Sequence, residues 1–262
     1  MSTIEIILAI NAGSSSLKSS IYSAEQSIDP NQIAEAEISG LTDQEARFRY
    51  SRSGKEIKDE SVKQVSDQDA AFHLILKTLV EDEDLREIQS LDDITIVCHR
   101  VVHGGTYNDA KVITDDTYHH LQELSDLAPL HNGPALSIIQ SSMRQLRFAT
   151  TIACFDSQFH ATIPPHISMY AINPEMAKNK GLRKYGFHGI SYSFIARHSA
   201  EFLGKDISNL NIIALHLGSG ASVCAIKNGE SLDTSMGLTP LDGLPGATRS
   251  GEVDPRQVIP RN

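Results

Sequence analysis

Residues able to do chemistry gather at the ends of apolar runs and in glycine-flanked turns, the places where α/β proteins assemble their sites. CHRVVHGG sets Arg100 and His103 at the end of such a run, just ahead of a double glycine. A guanidinium placed there suits two-pronged capture of a carboxylate or phosphate, although an isolated arginine more often makes a surface ion pair. FDSQFH offers Asp156, whose bland role is a turn aspartate. YGFHGIS offers His188 beside Phe187, where packing is the commoner role, and GATRSGEVDP offers Arg249 in a glycine-rich, solvated loop. Singly, none of these demands a function. Two arginines, a strand-end carboxylate and a loop histidine, joined to the hairpins below, are the parts that phosphoryl transfer uses.

The stretch ILAINAGSSSLKSSIY (7–22) places three serines and one lysine directly after an apolar run. Glycine lets the backbone approach a phosphate closely, and Ser and Lys supply hydrogen bonds and charge. The stretch is not a G-x-x-x-x-G-K-[ST] loop, because Leu17 stands at the second glycine and LKSSIY alternates like a strand. It reads as a β-hairpin with a polar turn. Aligned with HLGSGASVCAIK, it pairs Gly13 with Gly218, Ser14 with Ser219 and Ile21 with Ile226. A device used twice, about two hundred residues apart, suits two similar domains whose hairpins grip one phosphate chain from opposite sides.

The elements that must hold these residues are legible as patterns. Residues 4–11 and 17–22 form the first hairpin, and short strands from Ile33 to Tyr50 lead into the turn SRSGKE. In 67–81, Ala70, Ala71, Leu74, Ile75 and Leu79 share a helical face, with Ser66 as the expected N-cap. DITIVCHR is a buried strand, and DDTYHHLQELSDLAPLHN reads as a helix followed by a loop around Pro129, His131 and Asn132. ATTIACFD is a strand ending in Asp156, GISYSFIARHSAEFLG an amphipathic helix closed by Gly204, and LNIIALHLGSGASVCAIKNGE a second hairpin. A boundary near 148–150 gives two domains, 1–149 and 150–262.

Composition bounds the rest. The chain has 262 residues, 40% of them hydrophobic, enough for a substantial core. A net charge of -10 and a pI near 5.5 argue against nucleic-acid or anionic-membrane partners. No apolar run reaches membrane-spanning length, and Glu5 interrupts the first one, so the expectation is a cytoplasmic protein. Cys98, Cys154 and Cys224 are scattered, each in an apolar setting, and read as separate buried thiols.

INAGSSSLK, HRVVHGG, APLHN, FDSQFH, YGFHGISY, HLGSGAS and GLTPLDGLPGATRSGEVDP resemble, in order and spacing, the signatures of the acetate/propionate kinase family. That family lies within the sugar kinase–actin–heat-shock ATPase superfamily. The resemblance implies an α/β fold of two ribonuclease-H-like domains facing a cleft, the second incomplete here. It implies reversible transfer of the ATP γ-phosphoryl group to acetate or another short acid, with Mg²⁺ or Mn²⁺, in a protein that is a homodimer when complete.

Roles carry over by motif. Asn11 is the metal-linked residue, Ser14, Ser16 and Lys18 contact nucleotide phosphate, and Arg100 and His131 bind the acid. Asp156 is catalytic, His188 and Arg249 stabilise the transition state, and His216, Leu217, Gly218, Ser219 and Gly220 form the second nucleotide loop. The physics of the acceptor qualifies one role. A short carboxylic acid has a pKa of roughly 4–5, so it is already ionised at neutral pH and needs no general base. Asp156 is therefore expected to orient the reacting groups or to hold Mg²⁺ through water. A hydroxyl-phosphorylating kinase would instead use it as a base.

The chain departs from the family pattern at Ser219 (usually Asn), Tyr192 (usually His), Cys98 (usually Gly) and after Asn132 (usually Pro). Family members also continue beyond RSG-x-VDP with an adenosine pocket. The expectation is that the 262-residue chain, lacking it, binds nucleotide weakly and turns over poorly, as a catalytically impaired fragment of a kinase would.

Overall fold

The computed structural model describes residues 4–254 apart from 26–28, 64, 66 and 125–128, and no side chain is described for 129–131. The chain divides into two compact units. One comprises residues 1–101 and 110–154, the other 102–109 and 155–262.

The first unit is built on an eight-stranded sheet. Its strands are β1 (Glu5–Ala12), β2 (Ser16–Ala24), β3 (Asn31–Ser39), β4 (Ala46–Arg52), β5 (Lys55–Val62), β6 (Ile94–Val101), β7 (Lys111–Val112) and β8 (Thr150–Phe155). They lie in the order β5-β4-β3-β2-β1-β6-β8-β7. β1 to β5 form an antiparallel meander, and β6 adds parallel to β1. Period-two alternation decides which face is dry. Leu8 and Ile10 of β1, Leu17 and Ile21 of β2 and Val97 of β6 share one core with Phe72, Ile75, Leu76 and Leu79 of α1 (Gln68–Glu81). Ile138 joins that core from α3 (Pro129–Gln145), which follows α2 (Asp115–Glu123). The opposite face carries Asn11, Lys18 and Arg100. β5, at the sheet edge, is exposed along almost its whole length and rich in charge, which discourages pairing with another chain.

Two expectations change here. The N-cap of α1 is Asp67, whose carboxylate accepts the Ala70 N–H at 2.8 Å, while Ser66 lies outside the described residues. The stretch expected as a loop around Pro129, His131 and Asn132 is the first turn of α3. Proline at the first helical position forfeits only an N–H that has no partner within the helix.

The second unit holds a three-stranded antiparallel sheet in the order β11-β10-β9. Its strands are β9 (Asn211–Leu217), β10 (Ala221–Lys227) and β11 (Glu230–Thr234), the last not foreseen in the sequence. Two short helices, α4 (Pro165–Ser168) and α5 (Pro174–Asn179), precede α6 (Gly189–Leu203). Tyr192 and Ala196 of α6 pack on Ala214, Cys224 and Ile226 of the sheet. α6 ends at Gly204 in the left-handed conformation (φ 60°), whose N–H bonds back to the last turn. On the other side of β9, Ile213, Leu215 and Leu217 are 67%, 55% and 70% exposed.

Thr150–Cys154 completes the first unit's sheet, and 102–109 join the second unit. Among the described residues, no helix is long and apolar enough to cross a membrane. The three cysteines are not alike. Cys224 is buried, but Cys98 and Cys154 are half-buried neighbours on β6 and β8, so the reading of three separate buried thiols is corrected.

Candidate functional site

In the first unit, sheet register assembles the candidates into one row. Asn11 lies opposite Lys18, Lys18 opposite Glu37, Glu37 opposite Arg49, and Arg49 opposite Asp59. Arg100 joins at the β1 end, its Nη1 donating to Asn11 Oδ1 at 3.1 Å. From Lys18 to Asp59 the row therefore alternates cation and anion across four neighbouring strands. Lys18 Nζ sits 3.0 Å from Glu37, and Arg49 reaches the same carboxylate at 3.6 Å. An anion arriving at Lys18 would compete with Glu37. Half-exposed side chains can exchange such partners at small cost, because surface pairs contribute only about 0–1 kcal/mol.

The hairpin turn beside this row is pinned from behind. Gly13 N–H donates to Ser16 O at 2.8 Å, closing the turn, and Gln68 Nε2 at the start of α1 donates to Gly13 O. Ser14 is exposed and Ser16 partly so, which leaves both hydroxyls at the surface of the turn. No sequence pattern marks Gln68 or Glu37 as part of this region; only the pairing does.

In the second unit, the remaining candidates converge on the N-terminus of α6, except Leu217, whose exposed side chain lies on the other side of β9. His188 occupies the N-cap in the left-handed region (φ 61°), a strained setting for a non-glycine residue. Its ring stacks on His216 with centroids 4.0 Å apart. Its Nδ1 lies 2.8 Å from Ser222 Oγ, and that hydroxyl also bonds the Tyr192 hydroxyl. His216 Nδ1 is 3.0 Å from Ser191 Oγ. The β9–β10 turn closes through Gly218 N–H to Gly220 O at 3.0 Å, and Ala247 N–H donates to Ser219 O at 2.9 Å. That second bond fastens the arginine-bearing segment to the turn. A Cβ on Gly220 would sit 2.9 Å from Arg249 Nη1 and 3.3 Å from His188 Nε2, so glycine makes the room that both side chains fill.

Asp156 is 1% exposed, and its carbonyl accepts the Gly189 N–H at 2.8 Å, so the residue after β8 abuts the residue after His188. His160 supports the same loop from beneath. Its Nε2 bonds the Phe187 carbonyl at 2.9 Å and its Nδ1 the Ser231 hydroxyl at 2.7 Å. Burial lowers the His160 pKa to about 4, which keeps the ring neutral. His103 is likewise buried, packed on Tyr185 and Phe187 with a pKa pushed down to about 4. It is a packing residue of the second unit, whereas Arg100 belongs to the first. His131 lies outside the described side chains.

Sequence patterns named Asp156, His188 and Arg249 but gave no sign of Ser222, Tyr192 or His160 as their supports. The nearest signal was Tyr192 standing where histidine is usual. Among the described residues no three His, Cys, Asp or Glu side chains gather to hold a metal ion. Asn11 Oδ1, the atom a metal would need, is committed to a guanidinium. No step below is routed through a resident cation. What the two sets do offer is positive and hydrogen-bonding groups for anions.

The sequence profile of the Acetokinase family matches residues 6–259. A Chaetomium globosum protein named "Probable acetate kinase" is 63% identical over 256 residues, covering 97% of this chain and 56% of that one. A Neurospora crassa protein of the same name is 58% identical, covering 97% and 55%. Among solved structures, Porphyromonas gingivalis acetate kinase superposes with a TM-score of 0.81 at 33% identity, covering 97% of this chain and 62% of that one. A Francisella tularensis propionate kinase gives 0.83 at 32% identity, with the same coverage. The chain thus spans little more than half the length of these curated relatives. With seven ordered motifs, a profile match over nearly the whole chain and two solved neighbours in agreement, the chain belongs to the acetokinase family.

Proposed function

We propose that this chain carries the machinery of a carboxylate kinase, moving the γ-phosphoryl group of ATP to acetate and back, with acetyl phosphate and ADP as products. The observation that carries the proposal is the packing of Arg249 and His188 against the Gly220 turn. It puts a guanidinium and an imidazole beside a small-residue loop that suits phosphate oxygens. Arg100, steadied by Asn11, supplies a fork for the acid's carboxylate.

The difficulty of the reaction is electrostatic, because an anionic nucleophile must approach an anionic phosphoryl group. Arg249 and His188 in the second unit lower that repulsion where they line the Gly220 turn, and in the first unit Arg100 and Lys18 offer positive charge to a bound anion. Ser222 holds His188 Nδ1, so the nitrogen turned toward the glycine loop is Nε2. Asp156 acts by orientation rather than as a base, since the acid arrives ionised. Mg²⁺ (or Mn²⁺) enters with the nucleotide as part of the substrate. We place the reaction in the cytoplasm, where ATP and short acids are abundant, and read the whole protein as a homodimer. The likeness to a propionate kinase favours propionate as a second acceptor.

The test is to incubate the purified chain at substrate-level concentration with ATP, Mg²⁺ and acetate, propionate or butyrate, trapping acyl phosphate with hydroxylamine. Acyl hydroxamate is the expected product. Phosphorylation of glycerol instead, with a rate that titrates with a carboxylate, would establish a hydroxyl kinase using Asp156 as base and would overturn the proposal.

A further inference from the structure

The structure brings together two thiols that the proposed chemistry does not use. Cys98 lies on β6 and Cys154 on β8, strands adjacent in the first unit's sheet. Each thiol alters the other's hold on its proton, raising the Cys98 pKa and lowering that of Cys154, and both residues are half-buried, within reach of a small reagent. Neighbouring strands run about 4.7–4.9 Å apart, inside the Cα separations of 4.4–6.8 Å that a disulfide spans. Cys224 is buried in the other unit and hydrogen-bonded to Ser231, so it takes no part.

We infer that Cys98 and Cys154 form a vicinal dithiol, a modification site that hydroperoxide-class oxidants close to an intramolecular disulfide. One thiolate attacks a peroxide oxygen, the O–O bond breaks, and the distal oxygen leaves as water or alcohol. The sulfenic acid left behind is attacked by the second sulfur, which forms the S–S bond and expels hydroxide. That hydroxide takes the second thiol's proton and leaves as water. Two thiols lose two electrons and two protons, and one peroxide gains them. Cys98 precedes Arg100 by two residues on β6, so both point to the same face. Closing the disulfide ties down the strand segment that carries that guanidinium. The inference needs nothing from the proposed function.

The experiment uses the reduced 262-residue chain and hydrogen peroxide, followed by thiol alkylation and intact mass. The expected species has lost two hydrogens and carries one alkylated thiol. Peptide mapping is expected to find Cys98 joined to Cys154, and dithiothreitol to restore three alkylated thiols. A bridging trivalent phenylarsenical should bind once to the native chain and to Cys224→Ser, and not to Cys98→Ser or Cys154→Ser. The same chain in urea should give mixed pairings, which separates native proximity from chance. Three thiols surviving peroxide that fully oxidises free cysteine would overturn the inference. So would sulfinic acid at either residue, a link through Cys224 or between chains, or no arsenical uptake.

Discussion

Adding one methyl group at two glycines should move stability by different amounts, and the geometry says by how much. At Gly189 a Cβ would lie 2.2 Å from the Asp156 carbonyl oxygen and 2.8 Å from Phe159 Cβ, where ordinary contact begins at 3.4 Å. The obstacle is backbone, so no rotamer change relieves it, and α6 or the Asp156 loop must shift by about 1 Å. Overpacking of that kind costs about 1–3 kcal/mol, and weakening the Gly189 N–H to Asp156 O bond adds about 1 kcal/mol. Alanine's better helix propensity returns about 1 kcal/mol. The net for Gly189→Ala is a loss of about 1–3 kcal/mol. At Gly133, exposed in α3 with no described atom within 4 Å of a Cβ outside its chain neighbours, the propensity gain is offset by the clash of a Cβ in helical backbone with the ring of Pro134. Gly133→Ala should therefore stay within about 1 kcal/mol of wild type. Urea titration followed by hydrogen-exchange mass spectrometry reads α3 and α6 separately, which matters because two units need not unfold together. A Gly189→Ala chain as stable as wild type would refute the packing of Asp156 against the start of α6. A Gly133→Ala chain destabilised as much as Gly189→Ala would refute the open placement of Gly133 on α3.

Other perturbations follow from the same contacts. His99, His103 and His160 have pKa values lowered by burial to about 3, 4 and 4, below an unfolded value near 6.5. Their contribution is present above pH 6.5 and is lost as pH falls toward 4, because only the unfolded chain takes up the proton. Stability should drop on going from pH 7 to pH 5 by up to about 2 kcal/mol per histidine, and His99→Gln should flatten its share of that slope in urea titrations. Ser222→Ala removes the hydroxyl at His188 Nδ1. Nitrogen NMR should then show the His188 ring losing its preference for one tautomer, with a stability loss of about 1 kcal/mol, whereas Tyr192→Phe should leave that preference standing. Arg100→Ala and Arg249→Ala should each lower acyl phosphate formation on the order of 10³-fold while the far-ultraviolet circular dichroism stays unchanged.

The two hairpins were readable because alternation, small turn residues and short spacing are local properties of the chain. The start of α3 was not, because two prolines five residues apart read as breakers, whereas Pro129 opens the first turn and Pro134 is accommodated inside the helix. The site divides the same way. Arg249 and His188 stand out by residue type and glycine flanks, but their closeness to Gly220 depends on how the 246–249 segment folds onto a turn thirty residues earlier. Arg100 meets Asn11 across 89 residues through strand register, which one-dimensional patterning cannot supply. Glu37, opposite Lys18, and Ser222, behind His188, were hidden for the same reason. The cysteines each looked solitary because the order of β6 and β8 in the sheet is a fact of topology.

The most direct measurement follows the oxygen. Acetate carrying heavy oxygen in its carboxylate, incubated with ATP, Mg²⁺ and the chain, should give a phosphorus NMR signal of acetyl phosphate shifted by one heavy oxygen bonded to phosphorus. That result requires the acid itself to be the nucleophile. Acetyl phosphate with unlabelled phosphorus, or no acyl phosphate from a chain that still consumes ATP, would contradict it.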